Sequence, residues 1–174
     1  MEVTELAGPL CGATRPGHFR GVTTVVSKLL HAAKPHVAVF GAEDYQQLAV
    51  IRKLARDLMI PVEVIGAPTV REDDGLAKSS RNGYLSEQER GIAPVVFRTL
   101  RHTADQLAQG RTDYSILEQE ARDALSEAGL RPDYFNIVNS LTLKPASKDD
   151  RELTLLVAAF LGTTRLIDNL SITR

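Results

Sequence analysis

His36-Val37-Ala38-Val39-Phe40-Gly41 is a continuous β-rich run closed by glycine, and Val62-Glu63-Val64-Ile65-Gly66 repeats the pattern. Between them, Asp44 to Leu58 places Leu48, Ile51, Leu54, Ala55 and Leu58 on one helical face. Pro35 and Pro61 interrupt the chain just ahead of each run. Strand, helix and strand make one βαβ unit, whose crossover is expected to be right-handed. The first run has no polar alternation, which suits a strand buried on both faces of a parallel sheet. Upstream, Gly21–Ala33 carries Val22, Val25, Val26, Leu29 and Leu30 as a helical stripe. Ligands of open α/β sheets bind at the carboxyl ends of the strands. The search for function therefore starts at Gly41–Gln47 and at Ala67–Arg81. Two parallel strands are few for a stable sheet, so this half is expected to be part of something larger.

After Tyr84 the texture changes, and the domains are expected at residues 1–83 and 84–174. Ser86 with Glu89 forms a capping box for a helix running toward Gln109, with Pro94 tolerated near its first turns. Gly110 ends it, and Tyr114–Ala128 is a second helix closed by Gly129. Asp133–Val138, Leu153–Leu161 and Thr164–Ile167 read as strands, with a polar Lys144–Asp150 loop between the first two. The expected fold class is α/β: a partial Rossmann-like βαβ portion followed by a small α+β domain.

The 174 residues carry 21 Lys+Arg against 22 Asp+Glu, and 43% are hydrophobic. That composition is globular, and the charge balance argues against a dedicated nucleic-acid binder. The longest apolar stretch, Leu155–Gly162, is far short of a bilayer span, so no membrane partner is expected. The opening MEVTELAGPL lacks a basic start and a long apolar core, so no signal peptide is expected. The single cysteine, Cys11, has no CxxC or Cys/His cluster around it and reads as a buried thiol. A reducing cytoplasm is the expected location.

Three segments could carry chemistry. Arg15-Pro16-Gly17-His18-Phe19-Arg20 gathers two guanidiniums and an imidazole around a Pro-Gly turn, either an anion site or a solvated turn. Gly41-Ala42-Glu43-Asp44-Tyr45-Gln46-Gln47 follows a strand and opens a helix, without a Walker A loop or a GxGxxG fingerprint. Asp44 there is a ligand or a helix N-cap, and at most one of Gln46 and Gln47 faces a site. The polar loop Arg71–Gly83 sets Ser79 and Ser80 beside Arg81, two hydroxyls and a guanidinium apt for phosphate. Asp73-Asp74 could hold magnesium or simply form the turn before Gly75. His31, His36 and His102 have no metal-ligand spacing, and no metal ligands are assigned.

RPGHFRGVTTVVSKLL, VFGAEDYQQLAVIRKLARDL, PTVREDDGLAKSSRNGYL and AAFLGTTRLIDNL, in this order, closely resemble the pantothenate synthetase (pantoate–β-alanine ligase) family. The resemblance runs over essentially the whole chain. It implies a Rossmann-like nucleotide-binding domain followed by a small α+β domain. It also implies adenylation of pantoate by ATP with magnesium, then attack of β-alanine on the acyl-adenylate. By matching motif, Gly41, Asp44, Val70, Lys78, Ser79, Ser80 and Arg81 would contact ATP. Gln47 would hydrogen-bond pantoate, and Arg15 and His18 would sit toward the pantoate and β-alanine end. Arg81, His18 and Arg15 are the expected catalytic residues.

The family's HxGH motif is not found among these residues, and its Gly-x-Lys-Asp loop reads Gly41-Ala42-Glu43-Asp44. A carboxylate replaces an ammonium, and Lys78 could restore a cation or be solvated. The expectation is a carboxyl-terminal part of such a ligase, with impaired ligation by the chain alone. The alternatives are a diverged protein that binds another small amino or hydroxy acid without adenylation, or a non-catalytic subunit. An open sheet edge makes a homo-oligomer or a partner chain the expected assembly.

Overall fold

The computed structural model describes Leu6, Gly8 and residues 10–174, so most of the reading of the first ten residues lies outside it. The chain divides into two compact units between Pro68 and Thr69, whereas the change of texture in the sequence suggests residues 83/84. No helix among the described residues is long and apolar enough to cross a membrane.

The amino-terminal unit runs from a short turn of helix, α1 (Cys11–Thr14), through α2 (His18–Ala33), β1 (Val37–Gly41), α3 (Tyr45–Asp57) and β2 (Glu63–Ala67). The strands pair in parallel with Val37 opposite Glu63 and Gly41 opposite Ala67, and α3 is the crossover. Leu48, Val50, Ile51, Leu54 and Ala55 of α3 are buried. Gly66 lets Leu48 pack close to the strand, since a β-carbon on it would lie 2.6 Å from Leu48 Cδ2.

Burial on both faces does not hold for β1. Its exposure alternates, with Val37 at 45% and Val39 at 63%, and Ile65 of β2 is also exposed. Only one face of this two-stranded sheet has α3 against it, so the second row of apolar side chains stays outward. The stripe on α2 divides for a similar reason. Phe19, Thr23 and Leu30 are buried where α2 packs on α3, while Val25 and Leu29 point away.

The carboxyl-terminal unit opens with a polar loop and a 3-10 turn (Ser80–Tyr84), then α4 (Glu87–Ile92), α5 (Val95–Ala108) and α6 (Tyr114–Glu127). Ser86 and Glu89 form the expected capping box. The single helix expected from Ser86 toward Gln109 is two, parted at Ala93-Pro94. Proline has no N–H to bond the preceding turn, and Val96 N–H instead reaches Ala93 O at 3.1 Å.

Strands β3 (Arg131–Asn139), β4 (Glu152–Leu161) and β5 (Thr164–Thr173) form an antiparallel sheet in that order. β5 runs six residues past the expected end at Ile167 because its polar residues have partners. Asp168 meets Arg71, and Ser171 Oγ lies 2.9 Å from Thr154 Oγ1. Phe135, Ile137, Leu153, Leu155 and Val157 meet Leu100, Leu107, Leu117 and Leu125 in one core.

Asp150 organises the Lys144–Asp150 loop. Its carboxylate accepts Ser147 N–H at 2.7 Å, Ser147 O–H at 3.0 Å and Asn139 Nδ2–H at 2.7 Å. These bonds, that of the Ser147 amide foremost, hold its carboxyl below the ordinary value of 3.8. A depressed carboxylate stabilises the fold above its unfolded pKa and loses that contribution as pH falls through the folded one. The denaturant midpoint of Asp150→Asn is therefore expected to fall less than that of the parent between about pH 5 and pH 3. Equal slopes in urea titrations would refute this.

Candidate functional site

In the amino-terminal unit, Arg15 donates through Nη1 to His18 Nε2 at 3.2 Å. A guanidinium cannot accept, so in this contact Nε2 is the acceptor. Gly17, at φ +79°, makes the left-handed turn that starts α2 and sets the two side chains together. His18 is half-buried with its ring tilted against Phe19 at 5.0 Å between centroids.

Gly41 ends β1 at an open surface, with nothing within 4 Å of where a β-carbon would stand. Ala42 N–H bonds Ala67 O at 2.8 Å and ties this loop to the end of β2. Asp44 is the N-cap of α3, its Oδ1 accepting Gln47 N–H at 3.1 Å. Asp44→Ala is expected to destabilise the unit by about 1 kcal/mol. Thermal unfolding followed by circular dichroism reads this out, and an unchanged midpoint would refute it.

The adjacent glutamines separate as expected. Gln46 is buried and bridges two backbone groups, accepting Cys11 N–H at 3.1 Å and donating to Leu6 O at 2.8 Å. Gln47 stays half-buried and is the one left at the surface. Cys11 is buried, as expected for an inert thiol.

In the carboxyl-terminal unit, the loop is a short hairpin. Lys78 N–H bonds Val70 O at 2.9 Å, Glu72 N–H bonds Leu76 O at 2.8 Å, and Arg71 faces Ala77. Ser79 Oγ accepts Arg81 N–H at 3.3 Å and caps the 3-10 turn. Asn82 Nδ2 donates to Ala77 O at 3.0 Å, while its Oδ1 is buried without a hydrogen-bond partner among the described residues. Ser80 and Arg81 are exposed, and Val70 is 65% exposed beside them on the hairpin. Lys78 is exposed and lies 3.6 Å from Glu72, a solvated pair that contributes little.

The anchor of this hairpin is a pair to which the sequence alone assigns no role. Arg71 donates to both carboxylate oxygens of Asp168 at 2.6 and 2.9 Å and to Gly75 O at 3.0 Å. Its guanidinium stacks over the Phe97 ring at 3.7 Å. Asp168 is 3% exposed, and burial pushes its carboxyl up while the Arg71 fork pulls it back. The one signal in the sequence is a lone carboxylate directly after the apolar Leu166-Ile167 pair, which needs a cation once buried.

Asp74 forms the turn before Gly75, Oδ1 accepting Leu76 N–H at 3.2 Å and Oδ2 accepting Arg90 Nη1–H at 2.6 Å. No group of three or more His, Cys, Asp or Glu among the described residues is placed to hold a metal ion.

Comparison with known proteins gives the lineage. A family model described as Pantoate-beta-alanine ligase matches residues 1–171. The chain is 88% identical over 172 residues to a pantothenate synthetase of Marinobacter nauticus, covering 99% of this chain and 61% of that protein. A Pseudomonas fluorescens pantothenate synthetase is 59% identical, over 98% of this chain and 59% of that protein. The crystal structure of a Thermus thermophilus pantothenate synthetase superposes with a TM-score of 0.94 at 43% identity, over all of this chain and 63% of that one. A Francisella tularensis pantoate–β-alanine ligase complexed with β,γ-ATP and β-alanine gives a TM-score of 0.72 at 31% identity, over 98% of this chain and 56% of that one. The chain spans about three fifths of the length of these relatives. With a match that runs through both units, the chain belongs to the pantoate–β-alanine ligase family.

Proposed function

We propose that the chain supplies substrate-binding elements for the ATP-dependent condensation of pantoate with β-alanine. The observation that carries this reading is the family match across residues 1–171. In the first step a pantoate carboxylate oxygen attacks the α-phosphorus of ATP and the bond to pyrophosphate breaks. In the second, the β-alanine amine attacks the acyl carbon, the amide forms, AMP leaves and the amine loses a proton.

Each residue has a role its surroundings support. Ser79, Ser80 and Arg81 take phosphate oxygens, and the exposed Arg81 guanidinium offsets charge that builds on the transferring phosphorus. Val70 offers an apolar side chain to the base. Gly41 lets the nucleotide approach backbone, and Asp44 holds the first turn of α3 so that Gln47 can bond pantoate. Arg15 supplies a cation for a carboxylate. His18 orients Arg15 through Nε2.

Glu43 favours a second reading, because it stands where the family's motif has lysine. A carboxylate near nucleotide phosphates is repelled, so adenylation by the chain alone is weakened, or lost in a protein that binds an organic acid only. Calorimetric titration with ATP–magnesium, pantoate and β-alanine separately, followed by an assay for pantoate-dependent pyrophosphate release, tests the proposal. Saturable ATP binding with pyrophosphate release supports the ligase. Pantoate binding with no ATP binding supports the second reading, and silence from all three refutes both. Glu43→Lys is expected to tighten ATP binding about ten-fold, and no change would remove Glu43 from the argument.

A further inference from the structure

The Arg71–Asp168 pair joins β5 to the hairpin that carries the Ser-Ser-Arg turn, residues 97 apart in sequence. Asp168 spends both oxygens on Arg71, and Oδ1 also accepts Asn169 N–H at 2.7 Å. Arg71 is held from three sides: by Asp168, by Gly75 O at 3.0 Å and by the Phe97 ring. From Arg71 the path is continuous. Its backbone faces Ala77, Ala77 O accepts Asn82 Nδ2–H, and Asn82 N–H bonds Ser79 O at 3.0 Å within the turn. The 3-10 turn in addition packs against β5 itself.

We propose that Asp168 is a positioning residue for the nucleotide: through Arg71 it fixes the hairpin so that Ser79, Ser80 and Arg81 meet the phosphates in one geometry. The inference rests on the proposed ligase reading, and goes beyond it by giving the carboxyl-terminal sheet a part in the adenylation step. A buried bidentate fork suits this role, since planar guanidinium and carboxylate lock both distance and orientation. A phosphate-binding group displaced by about 1 Å can lower a rate on the order of a hundred-fold.

A second ion pair in the same sheet provides the control. Arg165 donates to Asp133 Oδ2 at 3.1 and 2.8 Å, with side chains 16% and 17% exposed, and neither of these bonds reaches the hairpin. The chain and its variants Asp168→Asn, Arg71→Lys and Asp133→Asn are compared by amide hydrogen exchange and by ATP–magnesium titration. Asp168→Asn and Arg71→Lys are expected to speed exchange at Arg81 and Asn82 on the order of ten-fold and to weaken ATP binding by a similar factor. Pantoate affinity stays constant, and Asp133→Asn changes neither the exchange nor ATP binding. Arg71→Lys keeps the charge and serves if Asp168→Asn fails to fold.

Unchanged exchange at Arg81 and Asn82, or the same change in Asp133→Asn, overturns the positioning role. Faster exchange with unaltered ATP affinity also overturns it, leaving Asp168 a structural residue. If the parent chain binds no ATP, the ligase reading fails and the nucleotide role with it. The exchange measurement then still decides, separately, whether Asp168 sets the turn.

Discussion

Replacing Phe135 with alanine is expected to lower the unfolding free energy of the carboxyl-terminal unit by about 3–5 kcal/mol. Phe135 lies in β3, is fully buried and belongs to the core shared by the sheet and helices α5 and α6. Its backbone carbonyl also accepts Arg122 Nη1–H at 3.0 Å, which holds α6 to the strand and resists collapse around the cavity. The cost of a cavity grows when its walls cannot move in. A domain of this size is stable by only about 5–15 kcal/mol, so the variant would sit near its unfolding transition at modest denaturant. Urea titration followed by far-ultraviolet circular dichroism measures the shift. A loss under about 1 kcal/mol would mean that the core repacks freely, contrary to the full burial of Phe135 in a cluster with Leu117, Leu125 and Leu155.

Gly75→Ala is expected to act on both stability and nucleotide binding. Gly75 has φ +91°, and a β-carbon there would lie 2.6 Å from Phe97 Cδ1. The left-handed backbone disfavours a side chain by about 1–2 kcal/mol, and the clash adds about 1–3 kcal/mol of overpacking. Phe97 cannot retreat without losing the Arg71 guanidinium stacked on its face. The substitution therefore loosens the support of the Ser79–Arg81 turn as well as the turn at Gly75. Thermal unfolding should shift by several degrees, and ATP binding should weaken more than pantoate binding. A variant of parental stability would show that Phe97 has room the packing does not reveal.

Much of this arrangement is legible in the residues. The βαβ order follows from two apolar runs around an amphipathic segment, and the capping box at Ser86 and Glu89 carries a local signature. Gln46 and Gln47 have to diverge because neighbours on a helix do not share a face. What stays hidden depends on distant contacts. β5 looks short in sequence because Asp168, Asn169 and Ser171 break its apolar run, and only their partners explain them. The polar Arg71–Gly83 loop carries no local signal of what it docks on, yet Arg71 ties it to the last strand. Pro94 is compatible with one helix by local rules, and the missing N–H in fact parts it. Phosphate-binding candidates are visible as residue types, while the fork that steadies them joins positions no local pattern connects.

The Gln46 bridge gives Cys11 a use as a built-in gauge. The thiol is buried and its own amide is tied to α3 through Gln46 Oε1, so a thiol reagent can reach the sulfur only when this corner opens. The chain has no other cysteine. The labelling rate in native buffer, divided by that of an unfolded peptide, therefore reports the free energy of that one opening. Gln46→Ala should raise the labelling rate, and any ligand that steadies α3 should lower it. Substrate binding to the amino-terminal unit could thus be followed without a fluorophore, a coupled enzyme or turnover.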